Sequence, residues 1–517
     1  MTKKEYAEQA RKACCSAETT AHHGGGHGRP FWNAEAFQFM YVPSFQFQPI
    51  PGCRHYRFTA RDEKGGVHTF DAEKPSALLT EIWADIPEGV VELTVRTVNK
   101  DNSEGYLVGA RTFFKLAPFS ADLPAAKCSY KDSAARALRY IMNLDFIRYW
   151  SDHGVPDPNY KLNIYPSKIH SSVIGAMVSF SALFPEQAEE ALKIAVHAAD
   201  YLLQLTLKDG PMCGIPPTYS LDYDPNAATR SIGSIIEERY KTVMMLYPSY
   251  VGSAYLQLEE KNKDKKYLDA AVAIGEYYYK TVEENGSWYL IRDYETGEPV
   301  NFNYCDPLPN IMPFIMRLYQ RTGDEKWKTL ADNALRFVEN NALVRYDWEG
   351  QFEDSTISDN YSNLTHYGAA ALIEYYTRHY AHDEEKMKIA DDLMRFVEDQ
   401  FVLWHRPSPW QRDNVDTSLW HTPGGLEQYV WHVPIDASTA NIMLAFLNMY
   451  KAGRGELHLV KAKALADSMT HAQHEDGMIP THWMNKETLD GGNFWVNCMI
   501  ASARAMKTMA DFEEENG

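Results

Sequence analysis

The sequence predicts a mainly α-helical fold, an (α/α)6 toroid of six helical hairpins preceded by a small antiparallel β-sandwich. Two observations predict it. Apolar residues alternate with polar ones in segments of residues 29–120, as in strands, but recur every three or four positions from about residue 133, as in helices. Twelve helical segments can also be counted, and six hairpins close naturally into a double ring.

The strand-like part is clearest in the segment VVELTVRTV, where Val91, Leu93 and Val95 alternate with polar residues. Turn-forming residues such as Pro, Asp, Asn and Gly separate the strand-like segments from one another. Several short strands at this spacing are typical of an antiparallel sandwich. We therefore predict a β-sandwich accessory domain over residues 29–125.

Residues 1–28 are predicted to be a flexible N-terminal segment. The segment is polar and ends in HHGGGHG, whose histidines lack a partnered Cys or carboxylate, so we predict no metal there. It has no apolar run of the kind found in secretory signals, and the seven cysteines show no CxxC or disulfide-dense pattern. These features predict a cytoplasmic protein, with a periplasmic or secreted one as the alternative if a leader was trimmed.

Residues 130–517 are predicted to form the helical ring. One set of helices is amphipathic with an acidic start, as in DEKWKTLADNALRFVEN, which is typical of outer helices. The other set is more apolar, as in YGAAALIEYY, which is typical of inner helices. An open solenoid is the alternative. The predicted helices are 134–148, 167–184, 187–206, 247–260, 265–283, 308–322, 325–341, 363–380, 384–402, 436–451, 456–471 and 493–512.

Long segments lead into the inner helices, and short ones leave them. In a ring of parallel inner helices, the long segments emerge on one face together with the helix N-termini. They hold seven of the 12 Trp residues, together with Arg, Asp, Glu and His. Indole rings stack on the C–H faces of sugars, and polar groups bind sugar hydroxyls. We therefore predict an oligosaccharide or polysaccharide cleft on this face, with an ordinary loop surface as the alternative.

Carboxylates in these segments are the candidates for catalysis, since glycoside hydrolysis requires an acid and a second carboxylate. Glu353 and Asp354 precede one inner helix, and Asp306 directly precedes another. Burial or a like-charged neighbour would raise the pKa of one of them enough for a general acid. Helix capping and loop hydrogen bonds are the alternative roles.

The segment WHTPGGLEQYVWHVPIDASTAN (420–441) holds the densest group of such residues. Glu427 is the strongest candidate, and Tyr429 lies beside it in sequence. Asp436 also belongs to this segment, but we interpret it as a first-turn residue that the helix dipole stabilises.

Other side chains of the long segments are predicted to contact substrate. An arginine guanidinium matches a substrate carboxylate in a bidentate geometry, and indole and imidazole groups suit sugar subsites. The predicted substrate-binding residues are Arg292, Arg412, Trp348, Trp420, Trp431, His421, His482, Trp483 and Trp495.

Partners and cofactors are constrained mainly by what the sequence lacks. With 51 basic and 70 acidic residues, the formal charge of −19 disfavours nucleic acid and acidic membranes, and no apolar run is long enough to span a bilayer. No P-loop and no GxGxxG after a strand is present, so we predict neither a nucleotide cofactor nor a metal. The oligomeric state is left open, and a homo-oligomer is compatible with the sequence.

A β-sandwich followed by six helical hairpins resembles the six-hairpin glycosidase superfamily, which includes unsaturated glucuronyl hydrolases, β-glucuronidases and several (α/α)-barrel polysaccharide lyases. The likeness covers most of residues 29–512 and is architectural. It implies an enzyme, a glucuronidase-like glycoside hydrolase that acts at the chain end of a uronic-acid-containing glycan by a two-carboxylate mechanism.

Three other functions stay open. A polysaccharide lyase would need a Tyr or His base, for which Tyr429 with His421 or His432, or Tyr367 with His366, are the candidates. A sugar epimerase or isomerase would produce no new reducing end. A non-catalytic glycan-binding protein would not bring the carboxylates together.

Overall fold

The computed structural model describes residues 1–16, 36–220, 241–304, 308–346, 348, 364–410, 416–428, 433–485 and 494–516. In this part of the chain the protein consists of a small sheet domain and a ring of helices. No helix in these ranges is both long enough and apolar enough to cross a membrane.

The N-terminal segment contains a helix, α1 (Lys3–Cys14). Its start is a capping box, in which the Thr2 hydroxyl accepts from the Glu5 N–H and the Glu5 carboxylate accepts from the Thr2 N–H. Ala10 and Cys14 are buried. The prediction of a flexible segment is therefore corrected for residues 3–14, whereas 17–28 lie outside the described residues.

The sheet domain has one main sheet and a two-stranded ribbon. Phe45 of the ribbon packs on Phe113 of the main sheet, with ring centroids 5.4 Å apart. The strands are β1 (Gln38–Phe39), β2 (Ser44–Gln46), β3 (Tyr56–Asp62), β4 (Val67–Ala72), β5 (Ser76–Leu78), β6 (Gly89–Val98) and β7 (Glu104–Lys115), with the short helix α2 (Thr80–Trp83) after β5.

The main sheet has the order β1-β7-β6-β3-β4, and β2 pairs with β5. Val91, Leu93 and Val95 of β6 all face the core, as the alternation predicts. The pairing of β1 with β7 is parallel, unlike the predicted antiparallel arrangement. It arises because the chain crosses the domain between these two strands instead of turning back in a hairpin.

Helices occupy all twelve predicted segments. One prediction, 134–148, spans a break at Leu144, where the backbone is extended. The helices are α3 (Tyr130–Asn143), α4 (Asp145–His153), α5 (Pro166–Leu183), α6 (Ala188–Leu205), α7 (Tyr247–Asn262), α8 (Lys265–Thr281), α9 (Leu308–Thr322), α10 (Glu325–Asn340), α11 (Ala342–Arg345), α12 (Tyr367–His379), α13 (Glu384–Phe401), α14 (Asp436–Lys451), α15 (Glu456–Ala472) and α16 (Val496–Asn516).

The inner helices form a closed ring. Neighbours in the order α5, α7, α9, α12, α14 and α16 contact one another, and α16 contacts α5. Each of the first five also packs on the outer helix that follows it, whereas α16 packs on α3, the first outer helix. The prediction of a closed toroid instead of an open solenoid is confirmed.

Local sequence explains where these helices begin. Asp264, Asp324 and Asp383 cap the outer helices α8, α10 and α13 by accepting backbone N–H groups. Pro166 and Pro248 lie in the first turns of the inner helices α5 and α7, where a missing N–H costs little.

Short strands lie in the long segments that lead into the inner helices. β8 (Thr242–Met244), β9 (Tyr289–Asp293) and β10 (Pro299–Tyr304) form an antiparallel sheet. β11 (Val402–Leu403) pairs with β12 (Gly424–Gly425) just before α14. These pairings tie parts of the long segments to the face of the ring where the inner helices begin.

A buried polar group, here called the junction cluster, joins the sheet domain to the ring. The Lys461 ammonium lies 2.6 Å from Glu398 Oε2, which also accepts from the Tyr41 hydroxyl at 2.8 Å. Trp404 Nε1 donates to Glu398 Oε1 at 2.9 Å. Asp399 Oδ1 accepts the N–H groups of residues 40 and 41 at 2.6 and 2.7 Å. The cluster therefore holds the chain just after β1 against α13 and α15.

Candidate functional site

The densest group of chemically capable side chains lies where three adjacent inner helices begin. Ser502 Oγ of α16 donates to Asp436 Oδ2 of α14 at 2.9 Å. The hydroxyls of Tyr367 on α12 and Ser438 on α14 are 3.3 Å apart. Glu427 acts electrostatically on both Asp436 and Tyr367. We call this group the mouth cluster, and its members are Tyr367, Glu427, Asp436, Ser438, Cys498 and Ser502.

Asp436 has a fully buried carboxyl group at the start of α14. Burial raises its pKa well above the ordinary value, and the Glu427 carboxylate raises it further, against the hydrogen bond from Ser502. Its Oδ1 makes no hydrogen bond of normal geometry to any described residue, although the Ala437 N–H lies close enough to lower the pKa somewhat. Asp436 lies in the first turn of α14, as interpreted from the sequence, but its burial keeps the carboxyl protonated instead of leaving an anion for the helix dipole to stabilise.

Glu427 is positioned by the backbone on both sides of it. Leu426 donates to the Phe401 carbonyl at 2.8 Å, and the Gly425 N–H donates to Thr439 Oγ1 at 2.8 Å. Ile435 donates to the Gly425 carbonyl at 2.8 Å. Leu426 thus pairs with Pro434, two residues before α14, and the half-buried Glu427 lies near enough to Asp436 to raise its pKa.

Gly425 lies too close to α14 to carry a side chain. A Cβ atom there would lie 2.9 Å from Ile442 Cδ1 and 2.9 Å from backbone atoms of Ser438 and Thr439. We expect Gly425→Ala to destabilise the fold by about 1–3 kcal/mol and to lower activity, because β12 and Glu427 must move. Chemical denaturation and turnover measure both effects.

The control is Gly175→Ala in the inner helix α5. Its Cβ would meet the flexible end of Arg504 at 2.8 Å, which can move away. Equal losses of stability and activity in the two variants would contradict the expected role of Gly425.

The pKa of Asp436 predicts how its replacement changes stability with pH. Above about pH 4 the carboxyl ionises in the unfolded chain but stays protonated in the fold, so the unfolded state is favoured by about 1.4 kcal/mol per pH unit up to the folded pKa. We expect Asp436→Asn, which does not ionise, to raise Tm at neutral pH and to change it little near pH 3. A lower Tm at neutral pH would contradict this expectation.

Tyr367 of the mouth cluster and the neighbouring His366 also have shifted pKa values. Burial lowers the pKa of His366 to about 3, although the backbone carbonyls of Glu427 and Leu426 raise it in part. Its imidazole is therefore neutral. Burial raises the pKa of Tyr367 well above 10, and Glu427 raises it further, so the phenol keeps its proton. The two rings are in contact, with centroids 4.2 Å apart and planes tilted by 34°.

Several predicted site residues cannot be placed. Glu353, Asp354, Asp306, Tyr429, Arg412 and Trp431 lie outside the described residues. Of the predicted catalytic residues, Glu427 is thus the one that the structure describes.

The predicted tryptophan platforms are mostly part of the core. Trp348, Trp420 and Trp483 are 2%, 3% and 0% exposed. The long segments fold over the ring and need apolar side chains to pack against it, so these indoles present no free face to a sugar. Trp495 differs, since it is half-buried. Its ring centroid lies 6.2 Å from that of Tyr165, and the Lys168 ammonium lies 4.7 Å from the Trp495 ring centroid.

The predicted carboxylate-binding Arg292 is buried within its own segment. Its guanidinium donates to the Gly297 carbonyl at 3.0 Å and to Glu283 Oε1 at 3.1 Å. Two of its nitrogens are therefore already engaged, which corrects its assignment to a substrate carboxylate.

The two predicted histidines differ in their contacts. His421 Nε2 lies 3.0 Å from Ser468 Oγ, and its ring packs on Trp483. Burial lowers the pKa of both His421 and His482. His482 is half-buried, and its backbone bridges to Ile435 directly before Asp436.

Among the residues that the structure describes, no three His, Cys, Asp or Glu side chains lie close enough together to hold one metal ion.

Sequence comparison finds no protein-family model and no curated protein that matches the chain. Solved structures do match it. A family 76 glycoside hydrolase from a bovine Bacteroides thetaiotaomicron strain has a TM-score of 0.47 at 12% identity, over 89% of this chain and 93% of its own. A D-mannose isomerase has a TM-score of 0.49 at 13% identity, over 73% and 97%.

An unsaturated glucuronyl hydrolase from Streptococcus agalactiae has a TM-score of 0.45 at 13% identity, over 74% of this chain and 93% of its own. This chain is similar to these three structures in its fold alone.

Proposed function

We propose that the protein is a carbohydrate-active enzyme, a glycoside hydrolase whose acid is Asp436 and whose second carboxylate is Glu427. The observation that supports this is a buried carboxyl with a raised pKa beside a second carboxylate where the inner helices begin. A general acid must hold its proton at the working pH, and burial provides this for Asp436.

The contacts of Asp436 suggest how it acts. Ser502 occupies Oδ2, so the proton would leave from Oδ1. Because the Asp436 side chain is fully buried, the proposal requires substrate binding to open access to it. Glu427 would act on the sugar as base or nucleophile, depending on its separation from Asp436. The half-buried Tyr367, whose hydroxyl lies 3.3 Å from that of the buried Ser438, suits a hydrogen bond to a sugar hydroxyl, and Trp495 offers a half-buried ring for stacking.

We propose further that the substrate bears a uronic acid and is cleaved at its chain end. A uronate carboxylate needs a cation beside the sugar. The Lys168 ammonium lies over the Trp495 ring and suits this role better than Arg292, which binds Glu283. A lyase acting through Tyr367 is less well supported, because the raised pKa of that phenol opposes its use as a base.

Product analysis on neutral and uronate-containing oligosaccharides tests the proposal. We expect new reducing ends without ultraviolet absorbance from a new double bond. Asp436→Asn and Glu427→Gln should abolish the reaction, whereas Asp145→Asn, an exposed first-turn acid of α4, should not. An ultraviolet-absorbing product, an isomerised sugar without new reducing ends, or full turnover by both variants would each overturn it.

A further inference from the structure

A cavity of about 180 Å³ lies between the segment that leads into α5 and the outer helix α6. Tyr160, Lys161, Asn163 and Ser220 give it polar walls, and Val155 is one of its apolar residues. Pockets for drug-sized ligands measure about 300–1,000 Å³. This cavity therefore suits a smaller ligand, of the size of a single sugar ring.

The charge of the cavity differs from that of the whole protein. The chain carries a formal charge of −19, yet none of the described residues that line the cavity is Asp or Glu. Lys161 is exposed at its edge, and amide, phenol and hydroxyl groups supply further hydrogen bonds. The nearby Asp157 carboxylate accepts from the Asn159 N–H at 2.9 Å. Lys161 is therefore the one charged side chain among the described lining residues, which favours an anionic ligand.

Tyr160 connects the cavity to the mouth cluster. Its ring stacks on Phe146 with centroids 3.7 Å apart, which fixes the phenol. The N–H of Val496 and the thiol of Cys498, both at the start of α16, lie near enough to act on that phenol. Cys498 also acts on Tyr367, so Tyr160 of the cavity and Tyr367 of the mouth cluster both lie near the start of α16.

We infer that this cavity is a second carbohydrate subsite, which binds one anionic unit of a glycan, a sugar ring bearing a carboxylate, sulfate or phosphate. The inference rests on the proposed function, because the other end of the glycan is held at the mouth cluster. Lys161 pairs with the anionic group, while the amide of Asn163 and the hydroxyl of Ser220 bind ring hydroxyls. Asn163 Nδ2 also donates to the Asp157 carbonyl, which orients the amide.

Binding of free monosaccharides, measured by NMR titration of the full chain, tests the inference. The probes are glucuronate, glucose 6-sulfate, glucose 6-phosphate and neutral glucose. We expect the three anions to bind at least about 5-fold more tightly than glucose, as a charge-assisted hydrogen bond predicts. Their ranking distinguishes the carboxylate, sulfate and phosphate. Lys161→Met should bring anion binding down to the level of glucose.

Two further variants separate the cavity from the rest of the surface. Val155 and Val67 are 41% and 51% exposed, and Val67 lies in β4 of the sheet domain. Val155→Trp should fill the cavity and abolish anion binding, whereas Val67→Trp and Lys64→Met should change nothing. Equal binding of anions and glucose, or anion binding that survives both Val155→Trp and Lys161→Met, would overturn the inference.

The proposed function is tested by cleavage, and the subsite by binding without turnover. Asp436→Asn should retain anion binding while losing cleavage. Absence of cleavage with intact, Lys161-dependent binding contradicts the hydrolase and supports the subsite, and the reverse result contradicts the subsite alone.

Discussion

Replacing Asp436 with asparagine is expected to lower kcat by about 100- to 10,000-fold, the usual contribution of general acid–base catalysis. Asparagine keeps the shape of the side chain and can still accept from Ser502, but it has no acid proton to give. KM should change little, because the sugar contacts are elsewhere. Initial rates on a substrate identified by product analysis, with near-ultraviolet circular dichroism to verify folding, measure the effect.

The matched control is Asp145→Asn, which makes the same chemical change at an exposed position and should leave kcat within about 2-fold, as expected of a surface substitution. A folded Asp436→Asn protein with near-normal kcat would remove Asp436 from the mechanism. Leaving groups that need no protonation should partly rescue the variant, which a purely structural role would not produce.

Replacing Lys461 with methionine is expected to lower the free energy of unfolding by about 3–5 kcal/mol. The side chains of Lys461 and Glu398 are 4% and 3% exposed, so the change leaves a carboxylate buried without its cation. Tyr41 and Trp404 would still donate to Glu398, but neither carries a positive charge. Chemical denaturation measures the loss.

Lys463→Met is the control, because Lys463 lies on the same helix and pairs with Glu513 at 2.9 Å with both side chains 41% exposed. An exposed pair of this kind contributes about 0–1 kcal/mol. Combining Lys461→Met with Glu398→Gln should recover much of the lost stability. Similar losses for the two lysine variants would contradict the buried pairing.

Periodicity predicted the helices well because it is a local property of the sequence. The apolar stripe of each helix and caps such as Asp324 lie within a few residues of the elements that they define. The capping box formed by Thr2 and Glu5 was equally local and could have predicted α1.

The site was harder to predict because its chemistry depends on distant contacts. The carboxyl of Asp436 is buried against Ser502, which is 66 residues away in sequence. Likewise, nothing local distinguishes Trp483, which packs under the loops, from the half-buried Trp495. Glu427 could be chosen as a candidate because the sequence Pro-Gly-Gly and a dense group of polar residues surround it in one segment.

The contact between α3 and α16 has a consequence for biosynthesis. The outer helix α3 emerges from the ribosome before any inner helix, but α16, its main partner, is translated after every other helix of the ring. Until then the nascent chain is an incomplete arc of helices with apolar surface exposed at both ends. Such a state is prone to aggregate or to bind chaperones. Slowing translation late in the message should therefore lower the yield of folded protein more than slowing it early.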